Sequence, residues 1–441
     1  KFKHPLPGNM QSSFEKTAGK DLSWFFDDAI NNNRKIEMRS SGPVILPHGK
    51  DVPKLERSLA ITPLSLFEKP EKRYLYVLPA IGWNEHNKIM AGLNLSNEMV
   101  LPKKTKFSLT PLYSFEDKNI NGFASIETKI AHKGKKLYRT DIGINTQAFD
   151  YTVFGDKLHY TRIKPYVAFN LREKTKQKYG KINRIELAGY FINSSGDSAD
   201  RFRTNQRMHL LTSYIYDDNS VINNTKLKAA LEYGKDGLNT RESSQDYVKA
   251  SLTWKQELNY NKKGKKLKFR VFAGKFFHKS DTSVSGDYHY NLSNNTGSAD
   301  YLMDDLFLFR SPGINKTDFH SRQLVEKGGA MRNPVYALRT DAWLFALNIE
   351  NTLPGKIPLR PYLDVGMGRM GAGAGGKFEK DLYYTGGLAI IIAEDILEVY
   401  LPLLSSQQLV DQYDFSNIEF HQRISFKLNI PLLNPLKSLK L

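Results

Sequence analysis

Through most of the chain, hydrophobic and polar residues alternate one by one. In TKLKAALEY, Leu227, Ala229, Leu231 and Tyr233 share one side, and Lys226, Lys228 and Glu232 share the other. KKLKFRVFAG sets Leu267, Phe269, Val271 and Ala273 against Lys266, Lys268 and Arg270. IEFHQRISFKLNI sets Ile418, Phe420, Ile424, Phe426, Leu428 and Ile430 against Glu419, His421, Arg423, Ser425 and Lys427. Successive side chains of a strand point to opposite faces, so a period of two predicts strands. These segments are 9 to 13 residues long. Globular strands average about 5–6 residues, and crossing a bilayer takes about 9–11. A soluble sandwich or propeller would need shorter strands and a less charged inner face. We count about sixteen such segments, from Arg73 to Ile430.

The connections alternate in character. One set is short and basic: LPKK, HKGKK, REKTKQKYGK, NKKGKK and LPGKIP. The other is longer, or acidic and rich in Gly, Asn and Ser: EDKNING, AFDYTVFGD, NSSGDSADRFRTN, GKDGLNTRESSQ and the long stretch 279–337. Outer-membrane barrels have short periplasmic turns and longer outside loops. The expected fold is therefore all-β: an antiparallel up-and-down transmembrane barrel of about 16 strands, of the outer-membrane type, with both termini periplasmic. The expected divisions are 1–34 for a helical segment, 35–71 for a periplasmic linker, 72–431 for the barrel and 432–441 for a periplasmic tail. The stretch 279–337 and the linker are each long enough to fold inward as a plug.

One segment breaks the period. In FEKTAGKDLSWFFDDAI, residues 14–30, Leu22, Phe25, Phe26, Ala29 and Ile30 fall on one helical face, with Asp27 and Asp28 opposite. Leu22, Trp24, Phe25 and Phe26 form its candidate docking surface, because large aromatics outside a membrane need a partner to cover them.

Composition sharpens this picture. The 441 residues include no cysteine, which removes disulfides and Cys-based metal sites. Mean hydropathy is −0.48, and no apolar run approaches a membrane helix, a result that leaves a membrane barrel open. Aromatics make up 12%, a level that suits strands and membrane interfaces. The net charge is +18, and fifteen Lys and Arg lie in the short basic turns. That rim is either plain solvated surface or a surface for lipid phosphates or an acidic neighbour. No nucleic-acid motif is present, so nucleic acid is not an expected partner. Charges predicted to face the lumen are Arg162, Lys164, Arg184, Glu186, Lys266, Lys268, Arg270, Arg360, Asp364, Glu419, Arg423 and Lys427. Their mixed signs favour mutual pairing over a selective pore.

Catalytic chemistry is not evident. No H-E-x-x-H occurs, and Glu85–His86 falls in a predicted hairpin turn. GMGRMG, residues 366–371, matches a dinucleotide fingerprint, but a glycine-rich loop follows where a helix would have to open. No catalytic or metal residue is therefore assigned within this chain, and no cofactor is expected in it.

A resemblance extends the reading. The stretch KFKHPLPGNMQSSFEKTAGKDLSWFFDDAI resembles the last catalytic-region segment of M1-family zinc aminopeptidases, through Glu15, Ala18, Gly19, Asp21, Leu22, Ser23, Trp24, Phe25 and Phe26. YLMDDLFLFRSPGINKTDFHSRQLVEKGGAMR, residues 301–332, and IGWNEHNKIMAGLNLSN, residues 81–97, look like the long loop and first hairpin of a Bacteroidota group. In that group an M1 peptidase is followed by an outer-membrane barrel. The resemblance implies a barrel that anchors a peptidase at the periplasmic face of the outer membrane, with zinc in a domain upstream. Lipid, and other outer-membrane or periplasmic proteins, would be its partners. The alternatives are a porin-like transport barrel, or a subunit of a larger secretion or assembly complex.

Overall fold

The computed structural model describes residues 7–23, 26, 36–39, 42–45, 58–63, 68–69, 72–99, 102–133, 136–153, 156–172, 181–196, 204–220, 223–236, 245–260, 265–280, 288–293, 296–311, 318–333, 338–354, 357–369 and 382–433. The chain divides into two compact units, Lys1–Ser58 and Leu59–Leu441.

The first unit holds α1 (Pro7–Ala18) and an antiparallel pair, β1 (Ile36–Arg39) and β2 (Gly42–Ile45). The helix expected over 14–30 is interrupted: helical backbone recurs at Ser23 and Phe26, whose N–H donates to the Leu22 carbonyl at 3.1 Å, and its first part is α1. Helix α1 begins at Pro7 and ends where Gly19 takes a left-handed φ of 63°, its N–H donating to the Glu15 carbonyl at 2.9 Å. Glycine adopts that conformation without the Cβ clash other residues meet, and this ends the helix. The Glu15 carboxylate then accepts a bond from the Leu22 N–H at 3.1 Å, and Asp21 accepts one from the Ser23 N–H at 2.8 Å. The chain is thereby turned back on α1. Phe26 is buried, and its ring lies 6.1 Å from Phe14. Leu22 is half-buried. Trp24 and Phe25 lie outside the described residues.

The second unit is one large, mainly antiparallel sheet. Its strands are β3 (Ser58–Thr62), β4 (Lys72–Asn84), β5 (Lys88–Ser96), β6 (Thr105–Ser114), β7 (Ile120–Ala131), β8 (Leu137–Val153), β9 (Asp156–Leu171), β10 (Lys181–Gly196), β11 (Thr204–Asn219), β12 (Asn223–Lys235), β13 (Asp246–Asn259) and β14 (Lys266–Lys279). After β14 come two short segments within the long loop, β15 (Tyr290–Asn291) and β16 (Gln323–Leu324), and then β17 (Arg339–Thr340). The sheet resumes with β18 (Trp343–Asn351), β19 (Leu359–Gly368), β20 (Leu382–Ala393) and β21 (Leu397–Ser405). Helix α2 (Gln407–Phe415) and β22 (Ser425–Leu428) complete it. Neighbours follow chain order, β14 pairs directly with β18, and the order runs through β22 and β3 to β4, as in a barrel. The sheet has 18 members in all. The two beyond the expected sixteen are β3 and β16. At five and two residues, they are too short for a period-two pattern to announce.

Three expectations need correction. First, AFDYTVFGD is not a loop: β8 continues to Val153 and β9 starts at Asp156. Alternation persists there because Phe149 packs on Phe123 and Tyr151 on Tyr160, with ring centroids 4.9 and 5.8 Å apart. Second, residues 418–430 form no long strand. Glu419 and Gln422 make a reciprocal capping box around a 3₁₀ turn, Phe420–Arg423, and only Ser425–Leu428 is extended. Local side-chain bonds to the backbone overrode the period. Third, the expected linker contains β1, β2 and β3.

The outward face of the long strands is apolar. Leu187, Leu210, Leu231, Leu252 and Leu363 are all exposed on it. Exposed aromatics mark both ends: Trp83, Tyr113, Phe277 and Tyr384 on one side, Phe107, Trp254 and Tyr260 on the other. An aliphatic band between aromatic girdles is the surface of a transmembrane barrel. No helix of the described residues is long and apolar enough to cross a membrane.

Candidate functional site in the plugged interior

The described residues between β14 and β18 fold against the inner face of the sheet and are tied to it by charge. Asp304 accepts from Arg162 at 2.5 Å and from the Tyr190 hydroxyl at 3.2 Å, with Lys164 at 3.7 Å. Glu326 faces Lys255 at 2.5 Å and Arg270 at 3.0 Å. Arg270 also donates to the Gly328 carbonyl at 2.7 Å and to Asn348 at 3.0 Å. Arg332 sits between Glu350 at 2.9 Å and Asp364 at 3.2 Å, and its backbone N–H donates to Asp364 at 2.7 Å. Within the plug, Asp300 holds Arg310 at 2.8 Å and Lys327 at 3.5 Å, and Lys327 also pairs with Asp305.

The plug is fixed at its outer end as well. The Glu85 N–H donates to the Leu308 carbonyl at 2.7 Å, and the Thr152 N–H donates to the Arg310 carbonyl at 3.1 Å. The Arg310 N–H donates to His86 Nε2 at 2.9 Å. An aromatic cluster of His209, Tyr247, Tyr288 and Tyr301 packs at another point, where the Tyr301 hydroxyl donates to Glu232 at 2.6 Å.

Charge states follow from these contacts. Burial alone would raise the Glu326 and Asp300 carboxyls. Lys255 and Arg270 hold Glu326 below its ordinary value instead, and Lys327 and Arg310 do the same for Asp300. Burial would lower Lys327, but Asp300 and Asp305 raise it. For His86 burial outweighs the opposing pull of Glu85 and Asp150, lowers it to about 4 and keeps its ring neutral.

The predicted charges distribute as follows. Arg162, Lys164, Arg270 and Asp364 contact the plug through the bonds above. Arg184 pairs with Asp141 and Glu186, each at 2.9 Å, and Lys164 lies 3.9 Å from Glu186. Lys266 pairs with Glu257 at 2.9 Å. Lys268 and Arg360 converge on Glu350, at 3.5 and 3.1 Å, and both also reach Glu394. Lys427 pairs with Glu398 at 3.2 Å. Two predictions fail. Glu419 is exposed beside His421 at 3.2 Å, and Arg423 lies over the Tyr413 ring of α2 at 4.3 Å, both outside the strands. The capping box again explains the displacement. Sequence reasoning missed the plug's own partners, Asp300, Asp304, Arg310, Glu326, Lys327 and Arg332. Their density of both signs in a stretch otherwise classed as loop was the available signal. Among the described residues no group of three His, Cys, Asp or Glu could hold a metal ion. Glu85–His86 lies in the β4–β5 turn, and GMGRMG lies at the end of β19 and beyond the described residues.

Space remains beside the plug. One cavity of about 430 Å³ is bounded by β9–β14 and the plug, and a second of about 380 Å³ lies toward the short-turn side. Both are lined by Lys226, Lys255, Arg270 and Glu326.

No family model matches the chain. No curated protein matches it either. Among solved structures it is similar to CdiB from Acinetobacter baumannii, at 11% identity and a TM-score of 0.37, over 76% of this chain and 56% of that one. The chain thus spans little more than half the length of that protein.

Proposed function

We propose that this chain is an outer-membrane β-barrel closed by its own loop, and that it anchors a periplasmic module to the membrane. The supporting observation is the plug. The described residues of 300–332 meet inner-face charges at several separate points, and filling of this kind opposes free diffusion through a barrel. In this reading the M1-like resemblance names the module as a zinc peptidase, with its metal and catalysis outside the residues of this chain. Conductance of the whole chain in planar bilayers tests the closure. Rare or absent openings are expected, and steady porin-like conductance would refute it. Zinc content and peptidase activity of the parent protein test the identity of the module.

A second reading has its own support. The two cavities share four charged residues beside the plug, so release of Glu326 from Lys255 and Arg270 would join them into a path. A barrel that moves a substrate when the plug shifts, alone or within a secretion or assembly complex, fits that arrangement. Substrate-triggered conductance would favour it.

A further inference from the structure

We infer that the larger cavity contains a binding site for a small polyvalent oxyanion of the phosphate or sulfate class, centred on Lys228. This inference goes beyond the anchoring role and does not depend on it.

The register of three strands carries the argument. On the inner face, Lys226 of β12 stands opposite Asp217 and Lys255, and Glu232 stands near Lys249. Lys226 bonds Asp217 at 3.2 Å, and Lys249 lies 3.7 Å from Glu232. The row between them differs. Lys228 stands opposite Ile215 and Thr253, and neither is acidic. Cross-strand neighbours are the first partners a side chain can reach, so this ammonium has no carboxylate within its own row. The next row inward is small, with Ala230 opposite Ser213 and Ser251. Small side chains there leave room in front of Lys228, and all of these residues line the cavity.

The surrounding charge is also unbalanced. Seven Lys and Arg line this cavity against five Asp and Glu. Among the described residues the Lys228 side chain makes no ion pair or hydrogen bond; Lys327 and Lys164 act on it electrostatically, opposed by Asp304 and Glu186. The nearest acids are already committed: Glu186 to Arg184 at 2.9 Å, and Asp304 to Arg162 at 2.5 Å. Lys228 is exposed on this inner face, so an anion that enters the cavity reaches its ammonium directly. Three lysines around a cavity bordered by Ser213, Ser251 and Thr253 supply point charges and hydroxyl donors, the set that suits a phosphate-class oxyanion. Because Lys327 belongs to the plug, the bound anion would bridge plug and wall.

The test is calorimetric titration of the whole chain in detergent with inorganic pyrophosphate at low ionic strength. One saturable site is expected. Lys228→Gln should weaken binding at least tenfold, and Lys88→Gln, at an exposed turn, should not change it. Ala230→Asp places a carboxylate two positions along the same face and should abolish binding by pairing Lys228 internally, which serves if Lys228→Gln does not fold. Folding of each variant is read from heat-modifiable gel mobility. No saturable site in the parent chain, or parent-like affinity in either folded variant, overturns the assignment.

Discussion

Arg332 offers the sharpest probe of the plug, and Arg332→Met keeps its bulk while removing its charge. The side chain is about nine-tenths buried between Glu350 and Asp364, the latter fully buried. Removing one partner of a buried ion pair costs about 3–5 kcal/mol, because the remaining charge is left without compensation. Here the loss is partly offset. Glu350 keeps Arg360 at 3.1 Å and Lys268 at 3.5 Å, and Asp364 keeps Asn348 at 3.1 Å. The lower end, about 3 kcal/mol, is the reasoned expectation, and it falls on the plug because both carboxylates belong to wall strands. At about 1.4 kcal/mol per tenfold, the open-plug population rises roughly 100-fold. Tryptic cleavage after Lys327 reports that population when opening and closing outpace cleavage. Its rate should rise by about the same factor while the barrel keeps its thermal transition. A rate within threefold of the parent, with an unchanged barrel, would show that the Arg332 contacts do not hold the plug. Lys88→Gln is the control: its ion pair with Glu85 is exposed and worth little.

Other outcomes follow from the same geometry. Leu231→Arg, at a site 52% exposed on the outward face of β12, should cost about 2–4 kcal/mol of folding stability in lipid vesicles. An unchanged denaturant midpoint there would argue against a lipid-facing band. His86 has a folded pKa of about 4 against an ordinary 6.5, so the unfolded chain binds the extra proton first. Its stabilising contribution is full above pH 6.5 and is lost as pH falls toward 4. His86→Gln should flatten that part of the stability profile, and an identical profile would refute the assignment. At Gly366 an added Cβ would lie 2.1 Å from Leu292 of the plug. Gly366→Ala should therefore destabilise the plug by about 1–3 kcal/mol, seen as faster cleavage after Lys327, and a parent-like rate would contradict the packing.

The wall strands were legible in the sequence because one face meets apolar surroundings and the other meets charge, and Lys226, Lys228 and Arg270 stand where period two puts them. What failed was decided by contacts that periodicity does not encode. The continuous helix over 14–30 was broken by the left-handed Gly19. The last strand yielded to the Glu419–Gln422 box. Helix α2 was announced only by Leu409 and Tyr413, four residues apart and both buried, in a stretch too short to stand out. The site was half legible: Arg162 and Asp364 were identified, but Asp304 and Arg332, which engage them, lie in a loop whose inward course depends on the sheet it packs against.

The two-residue strand β16 has a consequence for the order in which the molecule is made. Gln323 and Leu324 pair in parallel with Phe426 and Lys427 of the final wall strand. Gln323 also donates to the Leu428 carbonyl, 105 residues along the chain, and to the Leu306 carbonyl beside it. Contacts of such long sequence separation form late, because their loop-closure entropy is met before any reward arrives. β22 has only four residues with which to hold β21. Its docking therefore draws on a plug that is already seated, and the wall is completed around its contents rather than filled afterwards. Time-resolved gels would show this as a plug that resists protease before the compact barrel band appears.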